Sequence, residues 1–473
     1  MPFSLSRRQF LMGCSTAIAA LAGARLTQAV FAEPGAAATP NRETLVVIFL
    51  RGAWDAVHVI PPTSGADRGY YEDARRSYLR YPASGAGGAL ALGSLDGPNG
   101  VTGLGLHPAL APLLNLYQAG RAAFVVACGM HSPTRSHFDA MAYMELGTPD
   151  NKTTGAGWIT RHLQTAPNLP PVLQLPALAA GSSQPTALLA YPEAVAMSGP
   201  SSFRLNGSGS TFVGGKSYSY WQQQSLRQMY TGNSWLDVAG TETLDTLDLV
   251  ASVGTYTPAN GAQYPTGSFG DSLKTVAQMI KLDAGLQTAT IDFGGWDTHE
   301  YQGTVASGTS VPYIAGLLDQ LARGLAAFYT DLDGCGANNF TNRATVVVMS
   351  EFGRRLRENA SQGTDHGHGS AMIVLGGNVR GGQLYGAWPG LRNDQLYDGA
   401  DLRVTTDYRQ VLSEILVRRL GQPESNLDLI FPGYAGFTPL GIVNDAYAPA
   451  VVPTGPNFMY LPQVSRNAGQ TCP

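Results

Sequence analysis

The chain has 473 residues, with 30 Lys and Arg against 34 Asp and Glu, and 44% of its residues are hydrophobic. That near balance gives no footing for a nucleic-acid or anionic-membrane surface, and the length supports one large α/β domain or two ordinary ones around a sizeable core. The four cysteines form no CxxC pair, so a thiolate zinc site or redox dithiol is not indicated and any metal must use oxygen and nitrogen ligands.

Ser6-Arg7-Arg8-Gln9-Phe10-Leu11, followed by an uncharged run of small and apolar residues from Met12 to Ala24, reads as a twin-arginine (Tat) export signal. The run is short for a bilayer span, and Val30-Phe31-Ala32 offers a peptidase site, so cleavage is expected after Ala32 and residues 1–32 are a signal peptide. Cys14 follows the arginines too soon to be a lipidation site. The expected location is periplasmic or secreted, with the Tat translocase as the partner in export and no transmembrane anchor. That route carries folded chains, often with a metal already loaded. Residues 33–43 read as a linker and 446–473 as a Pro-, Ala- and Gly-rich tail. After processing Cys128, Cys335 and Cys472 remain, and the pairing expected is Cys335 with Cys472.

Between linker and tail, residues 44–445 alternate Val/Ile/Leu-rich runs with helical stretches, the pattern of a mostly parallel sheet sandwiched between helices. The first strand, Thr44–Leu50, leads to Asp55, which could bridge metals, orient a nucleophile or cap a turn. A helix over Pro108–Ala119 precedes the strand Ala122–Ala127. After it comes His131-Ser132-Pro133-Thr134-Arg135-Ser136-His137, in which Ser132, Thr134 and Ser136 are candidate hydroxyl nucleophiles beside Arg135 and His137. The alternative is that Ser136 caps a helix starting near Phe138. The Gly/Ser/Pro-rich stretch 167–270 looks like an insertion or cap over one sheet edge.

A helix over Leu273–Leu282 leads to the strand Thr288–Phe293, and then to Gly294-Gly295-Trp296-Asp297-Thr298-His299, where Asp297 and His299 suit a transition metal. The helix Tyr313–Leu332 precedes the strand Ala344–Met349, at whose exit stand Glu351 and then Arg354 and Arg355, either of which could hold an anionic substrate bidentately or lie on an exposed helix face. Thr364-Asp365-His366-Gly367-His368-Gly369 is the densest ligand cluster, just before the strand Ala371–Leu375. In an extended segment His366 and His368 would face the same way. Ligands in open α/β sheets bind at the carboxyl ends of strands, and Asp55, His131–His137, Asp297, His299 and Glu351 all follow strands.

These motifs together resemble the Tat-exported bacterial family called domain of unknown function 1501, grouped with the alkaline phosphatase and sulfatase superfamily. The resemblance runs from about Thr44 to Gly382. It implies an alkaline phosphatase-like core with metal ligands at strand exits, and makes Asp55 the counterpart of a metal-binding Asp. Phe352 stands where the superfamily places a ligand histidine, and His131 where sulfatases carry the residue modified to formylglycine, so formylglycine chemistry is not implied.

The expectation is an exported metal-dependent hydrolase of phosphate or sulfate esters acting on a small or polymeric anionic ester. One or two divalent ions (zinc, manganese, calcium or iron) would be held by Asp55, Asp297, His299, Glu351, Asp365, His366 and His368, with Arg135 neutralising the leaving oxyanion. The rival expectation is a non-catalytic cell-envelope protein that keeps a vestigial or structural metal site and binds glycan or assembles surface material.

Overall fold

The computed structural model describes residues 41–445 apart from 77, 168, 171–172, 206–215, 254 and 304–311. The expected signal peptide, most of the linker, the tail and Cys472 lie outside these residues, while Cys128 is free and buried.

The strands are β1 (Thr44–Leu50), β2 (Leu90–Gly97), β3 (Gly100–Leu106), β4 (Ala122–Gly129), β5 (Ala177–Ala179), β6 (Ala194–Ala196), β7 (Thr288–Phe293), β8 (Ala344–Met349), β9 (Ser370–Gly376), β10 (Leu384–Tyr385) and β11 (Thr406–Asp407). Nine of them form one sheet in the order β10-β4-β9-β8-β1-β7-β5-β6, with β11 also on β4, while β2 and β3 make a separate antiparallel ribbon. Within the large sheet β9 alone runs against its neighbours β4 and β8, and the other pairings are parallel. Strands β1, β7 and β8 begin and end where the sequence pattern puts them.

β1 is buried along its whole length, as a central parallel strand covered on both faces must be. Its period-two alternation divides it between two cores: Val46, Ile48 and Leu50 face one, and Leu45, Val47 and Phe49 face the other. The first core is closed by Leu273, Val276, Leu318, Leu321 and Leu325, from the helices Ser268–Leu282 and Tyr313–Leu332. The second is closed by Met144, Ile159, Leu163, Val411 and Ile415, from the helices His137–Leu146, Trp158–Thr165 and Tyr408–Arg418. The result is the expected α/β sandwich.

The stretch 167–270 does more than cap an edge. It supplies β5 and β6, which continue the main sheet beyond β7, and then two contacting helices, Tyr218–Met229 and Trp235–Ala251. The carboxyl ends of β1, β4, β7 and β8 lie along one rim of the sheet. Because β9 is antiparallel, its amino end lies on that same rim, and this brings the segment before Ser370 to the exits of the parallel strands.

Candidate metal centre

Four side chains meet at the rim. His137 Nε2 lies 2.8 Å from His366 Nε2 and 3.3 Å from Asp297 Oδ1, and His366 Nε2 is 3.3 Å from the same oxygen. The three ligand atoms fall within 4.8 Å of one another. His299 Nε2 joins from the solvent side, 2.8 Å from His366 Nε2 and 3.1 Å from Asp297 Oδ1. His137 and His366 are largely covered, whereas the side chains of Asp297 and His299 are 48% and 40% exposed.

The opposite nitrogen of each ring is tied down. His137 Nδ1 is 2.7 Å from Glu351 Oε1, His366 Nδ1 is 2.8 Å from the Arg135 carbonyl oxygen, and His299 Nδ1 is 3.3 Å from Asp365 Oδ1. Carboxylates and carbonyls only accept hydrogen bonds, so in the neutral rings each Nδ1 carries the proton and each Nε2 presents a lone pair. Imidazole lone pairs and a carboxylate oxygen at about 3 Å repel unless a proton or cation sits among them. Ligand atoms on a tetrahedral ion with ~2.0–2.1 Å bonds stand roughly 3.3 Å apart, close to the separations here. Rings oriented through the far nitrogen by a carboxylate or carbonyl are the usual second layer of a metal site. His137, Asp297 and His366, with His299 beside them, therefore fit a divalent cation.

Surrounding groups set the charge of the centre. Burial opposes ionisation of Asp297, but the hydrogen bond and charge of Arg354, with His137 and His299 nearby, hold its carboxyl at about 2. Burial disfavours the charged form of His137, yet the hydrogen bond and charge of Glu351 outweigh it and raise its pKa. Burial, and then the neighbouring His137, lower that of His366. Burial likewise works against the Asp365 carboxylate, and bonds from Asn359 and His299 overcome it and lower its pKa.

Several expected ligands take other roles. Asp55 is fully buried and belongs to a closed ion pair: Oδ1 accepts from Arg75 Nη2 at 2.8 Å and from the His58 amide at 3.1 Å, and Oδ2 accepts from Arg75 Nη1 and from Gln302 Nε2 at 2.8 Å. With every lone pair engaged it is not in the cluster. Glu351 is equally buried, and its Oε1 accepts from the Gly52 amide at 2.8 Å as well as meeting His137, so it orients a ligand instead of being one. Asp365 does the same for His299, steadied by Asn359 Nδ2 at 3.1 Å. His368 turns away and stacks on Tyr397 with ring centroids 4.0 Å apart. Its pKa falls to about 4, through burial first and the nearby His131 and Arg135 next. The expected common facing of His366 and His368 fails because the segment is not a strand at Gly367. There a side chain would collide with the Arg354 backbone, its Cβ 2.4 Å from the carbonyl carbon.

The candidate nucleophiles are spent locally. Ser132 Oγ donates to Asp150 Oδ1 at 2.5 Å and accepts from the Thr134 amide, Thr134 Oγ1 accepts from the Ser136 amide, and Ser136 Oγ caps the helix at the Asp139 amide. This is turn and cap chemistry. The Arg135 guanidinium, expected on an oxyanion, is held by Asp401 Oδ2 at 2.6 Å and Asp398 Oδ2 at 3.1 Å. Arg354 is not free for a substrate either. Fully buried, it donates to the carbonyls of Ala53, Gly52, Trp296 and Thr364 and to Asp297, stapling the β1, β7 and β9 ends together. Arg355 has its side chain 45% exposed.

Gly52 makes this close approach possible. It sits at φ 122° and any Cβ would come within 2.4 Å of the Asp297 amide nitrogen, so only glycine fits between β1 and the Asp297 turn. Phe352, 4% exposed, stacks on His137 at 4.9 Å and walls the centre where a further ligand was in question. Sequence reasoning missed Arg75, Gln302 and Asn359, whose parts depend on contacts from remote segments. It placed His137 among the hydroxyls and not among the ligands.

The fold and this centre define an α/β protein with a possible His/Asp metal site at the strand exits. Residues 224–427 match the model of a family described as "Protein of unknown function (DUF1501)", which bears out the resemblance read from the motifs. That span includes Asp297, His299, Glu351 and His366, but not β1 or His137. No curated protein matches the chain. Among solved structures it is similar to one described as Ps i-CgsB in complex with k-i-k-neocarrahexaose, with 11% identity, a TM-score of 0.35 and coverage of 83% of this chain and 74% of that one. It is also similar to the PsFucS1 sulfatase from Pseudoalteromonas sp., with 11% identity, a TM-score of 0.31 and coverage of 86% and 73%.

Proposed function

We propose that the protein is a metal-dependent hydrolase of phosphate or sulfate esters that works outside the cytoplasm after twin-arginine export. The observation that carries this reading is the set of Nε2 lone pairs from His137, His299 and His366 turned toward one carboxylate oxygen of Asp297 on a solvent-facing rim. Nitrogen donors with one carboxylate suit zinc, manganese or iron and disfavour calcium, which prefers all-oxygen shells. The Asp55–Arg75 pairing supports one ion and not two. Such an ion supplies Lewis-acid polarisation of an ester oxygen.

The chain's own residues do the rest. Glu351, Asp365 and the Arg135 carbonyl hold the rings in the liganding tautomer, and Arg354 offsets the negative charge of Asp297. Arg355, whose amide bonds the Asp365 carbonyl at 2.9 Å, has its side chain 45% exposed and only distantly paired with Asp401, Nε to Oδ1 4.0 Å, and offers a cation beside the centre for an anionic ester. With the nearby hydroxyls engaged in turns, water is the nucleophile, and attack releases the alcohol and the free oxyanion. Among the described residues no helix is long and apolar enough to cross a membrane.

The engagement of Ser132, Thr134 and Ser136 also favours a second reading, a non-catalytic envelope protein with a structural metal. Metal analysis of protein purified from the periplasm, followed by turnover of aryl phosphates and aryl sulfates, tests both. About one transition metal per chain with turnover that is lost in Asp297→Ala supports the hydrolase. Metal without turnover supports the structural reading, and well-folded protein without metal overturns both.

A further inference from the structure

Taking the His/Asp centre as the metal site proposed above, we infer that Asp401 and Arg135 form a positioning pair that fixes the tautomer and orientation of His366. Asp401 is fully buried on a segment strapped across the rim. It makes backbone bridges to Arg355 and to Tyr397, and the Leu402 carbonyl accepts from the Gly369 amide at 2.7 Å. From there its Oδ2 holds Arg135 Nη2 at 2.6 Å. The carbonyl of Arg135 in turn meets His366 Nδ1 at 2.8 Å.

His366 is the ring on which this matters most, because its Nε2 stands between those of His137 and His299, 2.8 Å from each. Its orienting group is a main-chain carbonyl in an irregular turn, whereas His137 leans on the buried carboxylate of Glu351. A backbone carbonyl is only as fixed as its turn. The local bonds of Ser132, Thr134 and Ser136 shape the turn but do not connect it to the His366 segment. The guanidinium of Arg135 provides that connection, since Asp401 is anchored beside His368-Gly369 on the same segment as His366. This accounts for an arginine at the site rim whose guanidinium is held by Asp401 and not by the centre it serves, and Asp398, 61% exposed, adds a looser second hold at 3.1 Å.

Arg135→Gln, Asp401→Asn and the double variant, made in the full chain and purified after export, test the pair. Each protein is stripped with chelator and titrated with Zn²⁺, and the ¹⁵N resonances of His366 are read in the zinc-free state. Each single variant is expected to bind Zn²⁺ about 10–100-fold more weakly, as loss of an outer orienting group does. The double variant should be no weaker than either single one, because both break one link. His366 should move from the Nδ1–H tautomer toward a mixture of both, a change that general loosening would not confine to one ring, and Arg135→Lys should restore part of the affinity. Unchanged Zn²⁺ affinity and tautomer in Arg135→Gln, or additive losses in the double variant, would overturn the inference. If the wild type takes up no Zn²⁺, the metal reading fails, and the tautomer comparison alone still decides the role of the pair. Should Asp401→Asn not fold, Arg135→Gln carries the test, since that side chain is 33% exposed.

Discussion

Asp55 and Asp297 invite comparison, because they follow neighbouring strands β1 and β7 and each is paired with a fully buried arginine, Arg75 or Arg354. Asp55 is closed off: no part of its side chain reaches solvent, and Arg75, Gln302 and the His58 amide occupy both oxygens. Asp297 is 48% exposed and turns one oxygen toward imidazole lone pairs. A carboxylate at a strand exit is therefore not a site in itself. What distinguishes the two is whether the partners are donors, which finish the group, or further lone pairs, which leave it needing a cation.

The sharpest break in that comparison comes from Asp55→Ala. It strands Arg75 as a buried unpaired charge, so we expect a loss of about 3–5 kcal/mol in urea unfolding, with the metal content of the remaining folded protein unchanged. Asp297→Ala should do the reverse. Arg354 keeps its carbonyl acceptors and water can reach the place of the half-exposed Asp297, so the loss of stability should be smaller than in Asp55→Ala, while metal affinity measured by chelator competition falls by more than about 100-fold, beyond what loss of a merely orienting residue costs. If the two variants gave the same pattern, the distinction between closed and open carboxylates would be wrong.

Glu351→Gln should fall between them, with metal affinity down about 10–100-fold, because the amide no longer enforces the Nδ1–H form of His137. A last contrast, spread over pH, is a slope that sets a closed imidazole against those of the centre. His162 is 1% exposed, and burial alone lowers its pKa to about 3. The unfolded chain therefore takes up a proton that the folded chain refuses, and the stability this ring confers is complete above about pH 6.5 and lost as pH falls toward 3. Unfolding free energies from urea titrations between pH 4 and 6 should show a slope shallower by about 1.4 kcal/mol per pH unit in His162→Gln.

Much of the fold was legible because its signals are local. Nearly continuous apolar runs at Thr44–Leu50 and Ala344–Met349 mark strands covered on both faces, Thr288–Phe293 is a mixed run buried everywhere but at Asp292, and the apolar spacing of Tyr313–Leu332 marks a helix with a buried stripe. The short strands β5 and β6 were not legible, since three-residue strands carry too little pattern to stand out from a Gly/Ser/Pro-rich background. In the site, Asp297, His299 and His366 were legible as types at strand ends. The separation of His366 from His368 was not, because it depends on how Gly367 packs against Arg354.

The sequence by itself determined the α/β alternation, the rim where chemistry collects and the residue types able to hold a cation, because periodicity and strand exits are properties of neighbouring residues. Only the tertiary structure decided which of those residues meet. The antiparallel placement of β9 carries His366 to the ends of β1, β4, β7 and β8, and buried partners far apart in sequence close Asp55 and leave Asp297 open. The physical reason is that a carboxylate or imidazole takes its role from the donors and lone pairs around it, and those are supplied by segments that only the folded sheet brings together.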